Sequence, residues 1–241
     1  MTRRDEHIGD AHPEEHQHPY DIPYHWAMAP FYRYVNDVLA SRVTPSVAGR
    51  AVLEMGCGDG YMTARLAEHA RRVFAFDLSE RAIAFAELIV RRPNVAFGVG
   101  MARDIAQMAG RLDGEVDVVA SFEVVEHLSV AERDAFLAGA REVLKAGGSL
   151  VVSTPNGARR AGHVMNPHHA HEFTPRELRA LLLDAGFADV QMSGVYRQPP
   201  WPHRLEHFAN TVPFRAGFRR LARAGSANPG ACRTLLAVCR A

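Results

Sequence analysis

Residues 52–63 read VLEMGCGDGYMT. A short apolar run leads into Gly56-Cys57-Gly58-Asp59-Gly60, and the residues behind it, MTARLAEHA (62–70), have a helical pattern. A strand therefore enters a glycine-rich turn that opens a helix. Glycine takes positive φ without steric cost and lets backbone approach a ligand closely. The first turn of the helix presents N–H groups that have no partner inside the helix. The turn is answered by Asp77, 21 residues after Gly56, at the end of a second apolar run, RVFAFD (72–77). An acid there is placed to accept hydrogen bonds from ribose hydroxyls. The stretch predicts a nucleoside-bearing ligand held at the carboxyl end of a strand.

Working outward, strands and helices alternate. RAVLEMG (50–56), RVFAFD (72–77), NVAFGVG (94–100), EVDVVAS (115–121), SLVVSTP (149–155), ADVQMSGVY (188–196) and TLLAVCR (234–240) read as strands. SERAIAFAELIV (79–90) reads as a helix with Ser79 as cap and Glu80 in its first turn. VAERDAFLAGAREVLK (130–145) reads as a helix ended by Gly147 and Gly148. TPRELRALLLDAG (174–186) starts a helix with Thr174 at the cap and Pro175 behind it. Near-continuous apolar strands separated by helices imply a parallel α/β sheet covered on both faces. Residues 1–22 are polar and unpatterned and read as a flexible leader, with 23–241 a single domain. Within it, 20–45 forms an aromatic N-terminal helical cap, starting near Pro30. Residues 197–230, with Pro199, Pro200, Pro202 and FRAGFRRLARA, break the alternation and read as an insertion or lid before the last strand.

Composition narrows the class. The chain has 241 residues, 47% hydrophobic and 23% charged, with net charge +1, which fits a folded globular protein and excludes a disordered one. Three cysteines make no disulfide framework, and the opening MTRRDEHIGD has no apolar leader segment, so a cytoplasmic location is expected. No apolar run is long enough to span a membrane. The near-neutral sum conceals a segregation: residues 1–22 carry −4 and residues 197–241 carry +7. The basic end, with Arg204, Arg215, Arg219, Arg220 and Arg223, could meet an anionic acceptor, while overall charge disfavours nucleic acid.

The glycine spacing identifies the ligand class. A dinucleotide fingerprint needs a third small residue where this chain has Tyr61. Glu54, two residues before the first glycine, would repel a pyrophosphate and suits a ligand with a positive amino group. This pattern resembles the first motif of class I S-adenosylmethionine-dependent methyltransferases. FDLSERAI, SFEVVEHL and LKAGGSLVVSTPN resemble that family's later segments, so the likeness covers roughly 50–196. The resemblance implies a Rossmann-like doubly wound seven-stranded sheet, order 3-2-1-4-5-7-6, with the last strand antiparallel. It implies S-adenosyl-L-methionine as cofactor, with Glu54, Gly56, Cys57, Gly58 and Gly60 at the methionine end. It places Asp77 on the ribose, and Leu78 and Phe122 beside the adenosine. In GVGMARDI the position where the family often has an acid is Met101, so backbone of Met101 and Ala102 is expected at the adenine.

Chemistry is expected from Glu123-x-x-Glu126-His127 after the fourth strand, since such sheets bind ligands at the carboxyl ends of their strands. Methyl transfer to a hydroxyl needs a positioned nucleophile and a base for its proton. His127 is the best-placed base, with Glu123 beside it. His25, in YDIPYHW (20–26), is a further candidate, or else these aromatics merely seal the core. A second polar cluster, NPHHAHEFTP (166–175), would lie next to the first. Glu123, Glu126, His127 and His169 could then ligate Mg²⁺ or Mn²⁺, an arrangement resembling metal-dependent 2′-O-methyltransferases of RNA 3′ ends. The same motif occurs in ubiquinone-pathway and sugar O-methyltransferases without implying metal. The expected function is methyl transfer to a hydroxyl of a small molecule, such as a sugar, phenol or natural-product intermediate. The alternatives are metal-dependent methylation of RNA termini and a non-catalytic nucleotide-binding module.

Overall fold

A computed structural model of the chain describes residues 24–27, 30–159, 168–197 and 228–241. A single-turn helix α1 (Tyr24–Ala27) and helix α2 (Pro30–Val47) come first. There follow β1 (Ala51–Met55), α3 (Tyr61–Leu66), β2 (Arg72–Asp77), α4 (Glu80–Ile89) and β3 (Val95–Val99). Next come α5 (Ile105–Ala109), β4 (Val116–Phe122), α6 (Val130–Val143) and β5 (Leu144–Pro155). The chain closes with α7 (Pro175–Asp184), β6 (Ala188–Arg197) and β7 (Cys232–Arg240).

The strands form one sheet in the order β3-β2-β1-β4-β5-β7-β6. Strands β1 to β5 pair in parallel, and β7 runs antiparallel to both β5 and β6. The doubly wound order inferred from the sequence is therefore present, with TLLAVCR inserted between β5 and β6. Strand order reverses at β1, whose neighbours are β2 and β4. A ligand crevice opens at the carboxyl ends of the strands at such a reversal.

Burial on both faces explains why the strands read as continuous apolar runs. Leu53, Phe74, Phe76, Val119, Leu150 and Leu235 pack on one face against Ile105, Phe136, Leu137, Leu178 and Leu182. Their strand neighbours Val52, Val73, Ala75, Val118, Val151 and Leu236 pack on the other against Val38, Val43, Val47, Leu66 and Ile83. Successive strand side chains alternate between faces. The segment read as a cap is thus divided in role. Its residues 38–45, with α2 continuing to Val47, form a structural layer of the core, because Val43 and Val47 are fully buried.

Local sequence signals place most helix starts. Ser129 and Thr174 each cap a helix with a reciprocal glutamate, Glu132 and Glu177, satisfying backbone donors at both. Three boundaries differ from expectation. The helix after the glycine loop stops at Leu66 instead of residue 70. The helix expected through Lys145 ends at Val143, because Leu144 is already extended and pairs with Val116, so Gly147 and Gly148 lie inside β5. The stretch 102–112, left without an element, holds two short 3₁₀ turns and α5. The readings of 1–22 as leader and of most of 197–230 as insertion lie outside the described residues, as do the basic residues Arg204 to Arg223.

The central position of β5 gives a stability test. Leu150 is fully buried between the β4 and β7 pairings. Leu150→Ala is expected to lower the urea unfolding free energy by about 2–5 kcal/mol with an unchanged slope.

Candidate active site

The glycine loop sits where strand order reverses. Gly56, Gly58 and Gly60 have φ of 75°, 51° and 77°. A Cβ on Gly56 would lie 2.4 Å from Val124 Cγ2, so the loop and the β4 exit approach each other only because that residue is glycine. Gly60 is the left-handed N-cap of α3, and a Cβ there would meet Ala86 and Val90 side chains at 3.0 Å. Tyr61, which occupies the third-glycine position of a dinucleotide fingerprint, is buried, and its hydroxyl donates to Asp37 Oδ1 at 2.9 Å.

Asp77 holds this loop to the end of β2. Its Oδ2 accepts the Gly58 N–H and its Oδ1 the Ser79 N–H, both at 2.9 Å. Burial raises its pKa above the ordinary carboxylate value, and these backbone donors oppose the rise. Glu54 is 1% exposed on β1, and its Oε2 has no hydrogen-bond partner among the described residues. Burial pushes its pKa to about 7, with Asp77 adding to the rise and Thr63 opposing it. A buried carboxylate oxygen without a partner is costly. At the root of an open loop it is matched to a cationic group arriving from outside.

The remaining cofactor candidates surround this loop. Cys57 is buried, and burial pushes its thiol well above the usual range, which suits packing and not nucleophilic attack. Leu78 is half-buried beside Asp77, and Phe122 is buried at the end of β4. Met101 and Ala102 are half-buried at the β3 exit. The Met101 N–H donates to Asp104 Oδ2 at 2.9 Å. An acid does stand at this exit, reached from three residues further along the chain.

The β4 exit carries the proton-handling groups. Glu123 has φ 55°, a conformation that side chains with a Cβ rarely adopt. Its backbone N–H donates to Ser153 O at 3.0 Å, and its Oε1 accepts the Ser153 hydroxyl at 2.8 Å. Burial raises its pKa to about 7, opposed by the Ser153 bond and by the charges of Arg233 and His25. Glu126 is 1% exposed and accepts the Thr154 hydroxyl at 3.0 Å. Burial, and then the nearby charge of Glu123, push its pKa well above the ordinary value.

His127 and His169 meet edge to face, ring centroids 4.7 Å apart. His127 Nδ1 lies 2.9 Å from the His168 carbonyl, which can only accept, so Nδ1 carries the proton and Nε2 the lone pair. His169 Nδ1 lies 2.9 Å from Glu172 Oε1. Ligand atoms of Glu126, His127 and His169 all fall within 4.8 Å of one another. Glu123, expected as a fourth ligand, is outside this group because its carboxylate is drawn to Ser153.

His25 reaches the same mouth from α1. Its Nδ1 is 2.9 Å from Asp59 Oδ1, its backbone N–H donates to Asp59 Oδ2 at 2.7 Å, and the Trp26 indole donates to the Asp59 carbonyl at 2.9 Å. Sequence reasoning named His25 and missed Asp59, together with Ser153 and Glu172. Asp59 was hidden inside a motif whose glycines absorb the reading.

Residues 52–148 match the protein family described as Methyltransferase domain. Over that segment the chain is similar to S-adenosylmethionine-dependent methyltransferase domains. Two Mycobacterium tuberculosis proteins named as probable S-adenosylmethionine-dependent methyltransferases are each 38% identical over 182 residues, 74% of this chain and 61% of theirs. The chain thus spans 61% of the length of these relatives. The ubiquinone biosynthesis O-methyltransferase of Xanthomonas axonopodis pv. citri is 29% identical over 189 residues, 73% of this chain and 77% of that protein. The fold is shared with the N-methyltransferase NodS of Bradyrhizobium japonicum, solved with S-adenosyl-L-homocysteine, at TM-score 0.58 and 22% identity over 92% of both chains.

The orphaned Glu54 oxygen fits the amino group of S-adenosylmethionine by charge. No helix among the described residues is long and apolar enough to cross a membrane. Because Glu54 in the free protein titrates near 7, S-adenosylhomocysteine affinity should fall as pH drops below about 7. The loss should approach about tenfold per pH unit well below that value. Titration calorimetry from pH 8 to 5.5 on the wild type and Glu54→Gln checks this. The substituted protein should bind more weakly at pH 8 and show a flatter profile, and a wild-type affinity independent of pH would reject the role.

Proposed function

We propose that this protein transfers the methyl group of S-adenosylmethionine to a hydroxyl of a small-molecule acceptor. One observation carries the reading. The cradle for a cationic cofactor and the proton-handling groups Glu123, His127 and His25 converge at one edge of the sheet. His25 Cε1 lies 3.8 Å from where a Cβ on Gly58 would stand, and the charge of His25 is felt at Glu123. Bound S-adenosylmethionine would supply a sulfonium-activated methyl group and leave as a neutral thioether. The protein would orient the acceptor oxygen and accept its proton. The naming of a 29% identical relative as an O-methyltransferase supports oxygen as the acceptor atom.

Incubation with methyl-labelled S-adenosylmethionine and a panel of catechols, phenols and sugars should transfer label to at least one hydroxyl compound. Transfer only to amines, or salt-dependent transfer to RNA, would reject this reading.

A second reading adds a divalent metal, supported by the convergence of Glu126, His127 and His169. Metal-binding histidines usually donate their other ring N–H to a carbonyl or carboxylate. His168 O and Glu172 provide those two acceptors here. Two imidazoles and one carboxylate suit Mn²⁺, Fe²⁺ or Zn²⁺ better than Mg²⁺, which prefers oxygen ligands. Such an ion would lower the pKa of a hydroxyl bound to it. Equilibrium dialysis against Mn²⁺ should show one ion per chain, with affinity at least about tenfold weaker in His169→Ala and Glu126→Gln. Activity indifferent to EDTA, with uptake unchanged in both variants, would remove the metal from the account.

A further inference from the structure

Asp59 is the one acidic residue inside the glycine loop, and nothing in the cofactor cradle explains its side chain. It is 3% exposed. Its Oδ1 meets the His25 ring Nδ1 at 2.9 Å and also accepts the Tyr61 N–H at 3.4 Å, and its Oδ2 accepts the His25 backbone N–H at 2.7 Å. The Asp59 carbonyl takes the Trp26 indole N–H at 2.9 Å, which fixes the next residue of α1 as well. Trp26 in turn sits edge-on to Tyr61, with ring centroids 5.2 Å apart. The loop that cradles the cofactor therefore also grips the helix that bears the histidine.

We propose that Asp59 is a positioning residue that makes His25 the general base of the transfer. This rests on the reading of the protein as a hydroxyl methyltransferase. An ionised carboxylate can only accept, so Nδ1 carries the proton and the lone pair is left on Nε2, across the ring from Asp59. The ring faces the cofactor loop, with Cε1 3.8 Å from where a Cβ on Gly58 would stand. In the step, the acceptor oxygen bonds to the methyl carbon as the carbon–sulfur bond breaks and its electron pair stays on sulfur. The hydroxyl proton moves to His25 Nε2. The imidazolium that results faces the Asp59 carboxylate, so charge forms beside its counter-charge. A carboxylate that sets the tautomer and pairs with the protonated ring is the logic of the aspartate in hydrolytic triads. His127 then belongs to the Glu126 and His169 cluster and not to this step.

The arrangement joins two functions in one loop. Displacing the loop would disturb the cofactor cradle and the base together. It also specifies the acceptor class as one whose hydroxyl arrives protonated and needs a base.

The test uses the full chain loaded with S-adenosylhomocysteine and ¹⁵N-histidine, read by NMR. His25 should populate only the tautomer with its proton on Nδ1. Asp59→Asn, which cannot accept from both the ring and the backbone, should lose that single tautomer while keeping cofactor affinity. With catechol as the probe acceptor, Asp59→Asn and His25→Gln should each lower kcat by about a hundredfold or more, with KM little changed. A wild-type proton on Nε2, or an unchanged tautomer in Asp59→Asn, overturns the proposal. So does a changed tautomer with unchanged kcat. Failure of every hydroxyl probe would instead reject hydroxyl methylation, and the tautomer would still decide whether Asp59 positions the ring.

Discussion

The structure turns on the two backbone bonds that Asp77 accepts at the end of β2. One comes from Gly58 in the loop after β1, the other from Ser79 at the start of α4. A single carboxylate thus ties two neighbouring strand exits together at the point where strand order reverses. The loop could not take this path with side chains on it, since Gly56 is pressed against Val124 and Gly60 against α4. Backbone hydrogen bonds to a buried acid stabilise its charged form against the cost of burial. The same acid is the one that the sequence expectation assigns to a ribose.

Acids in this site divide by how they are satisfied. Asp77 and Asp59 are held by N–H donors on both carboxylate oxygens, which at Asp77 offsets only part of the rise from burial. Glu54 has an oxygen without a partner among the described residues, Glu126 accepts the Thr154 hydroxyl, and Glu123 accepts the Ser153 hydroxyl with the charges of Arg233 and His25 acting on it. Their raised pKa values follow from burial that the protein does not fully offset. A cationic cofactor beside Glu54 supplies that compensation from outside. Open compensation of this kind marks where ligands and protons enter.

Much of this was legible in the chain. Glu54, the three glycines and Asp77 could be named because their roles depend on spacing along one βαβ unit. The strand order followed once those motifs were joined to the later segments. Helix starts at Ser79 and at Thr174 and Pro175 were readable because capping is a local interaction. The end of the helix at Val143 was not, since pairing of Leu144 with Val116 overrode a helical pattern. Of the expected quartet Glu123, Glu126, His127 and His169, the last three bring ligand atoms within 4.8 Å of one another. Ser153, on a different strand, holds Glu123 apart.

The sequence by itself determined the class of fold and the glycine-rich turn at the end of β1. Those rest on glycine conformation, hydrophobic period and short-range spacing, which are properties of contiguous residues. Only the tertiary structure decided how α2 enters the core, which nitrogen of His127 carries a proton, and that Asp59 grips His25. Each of these depends on a hydrogen bond or packing contact between residues far apart in the chain. Such partners are chosen by the folded geometry, because a carboxylate or carbonyl acts on whatever donor the sheet brings within about 3 Å of it.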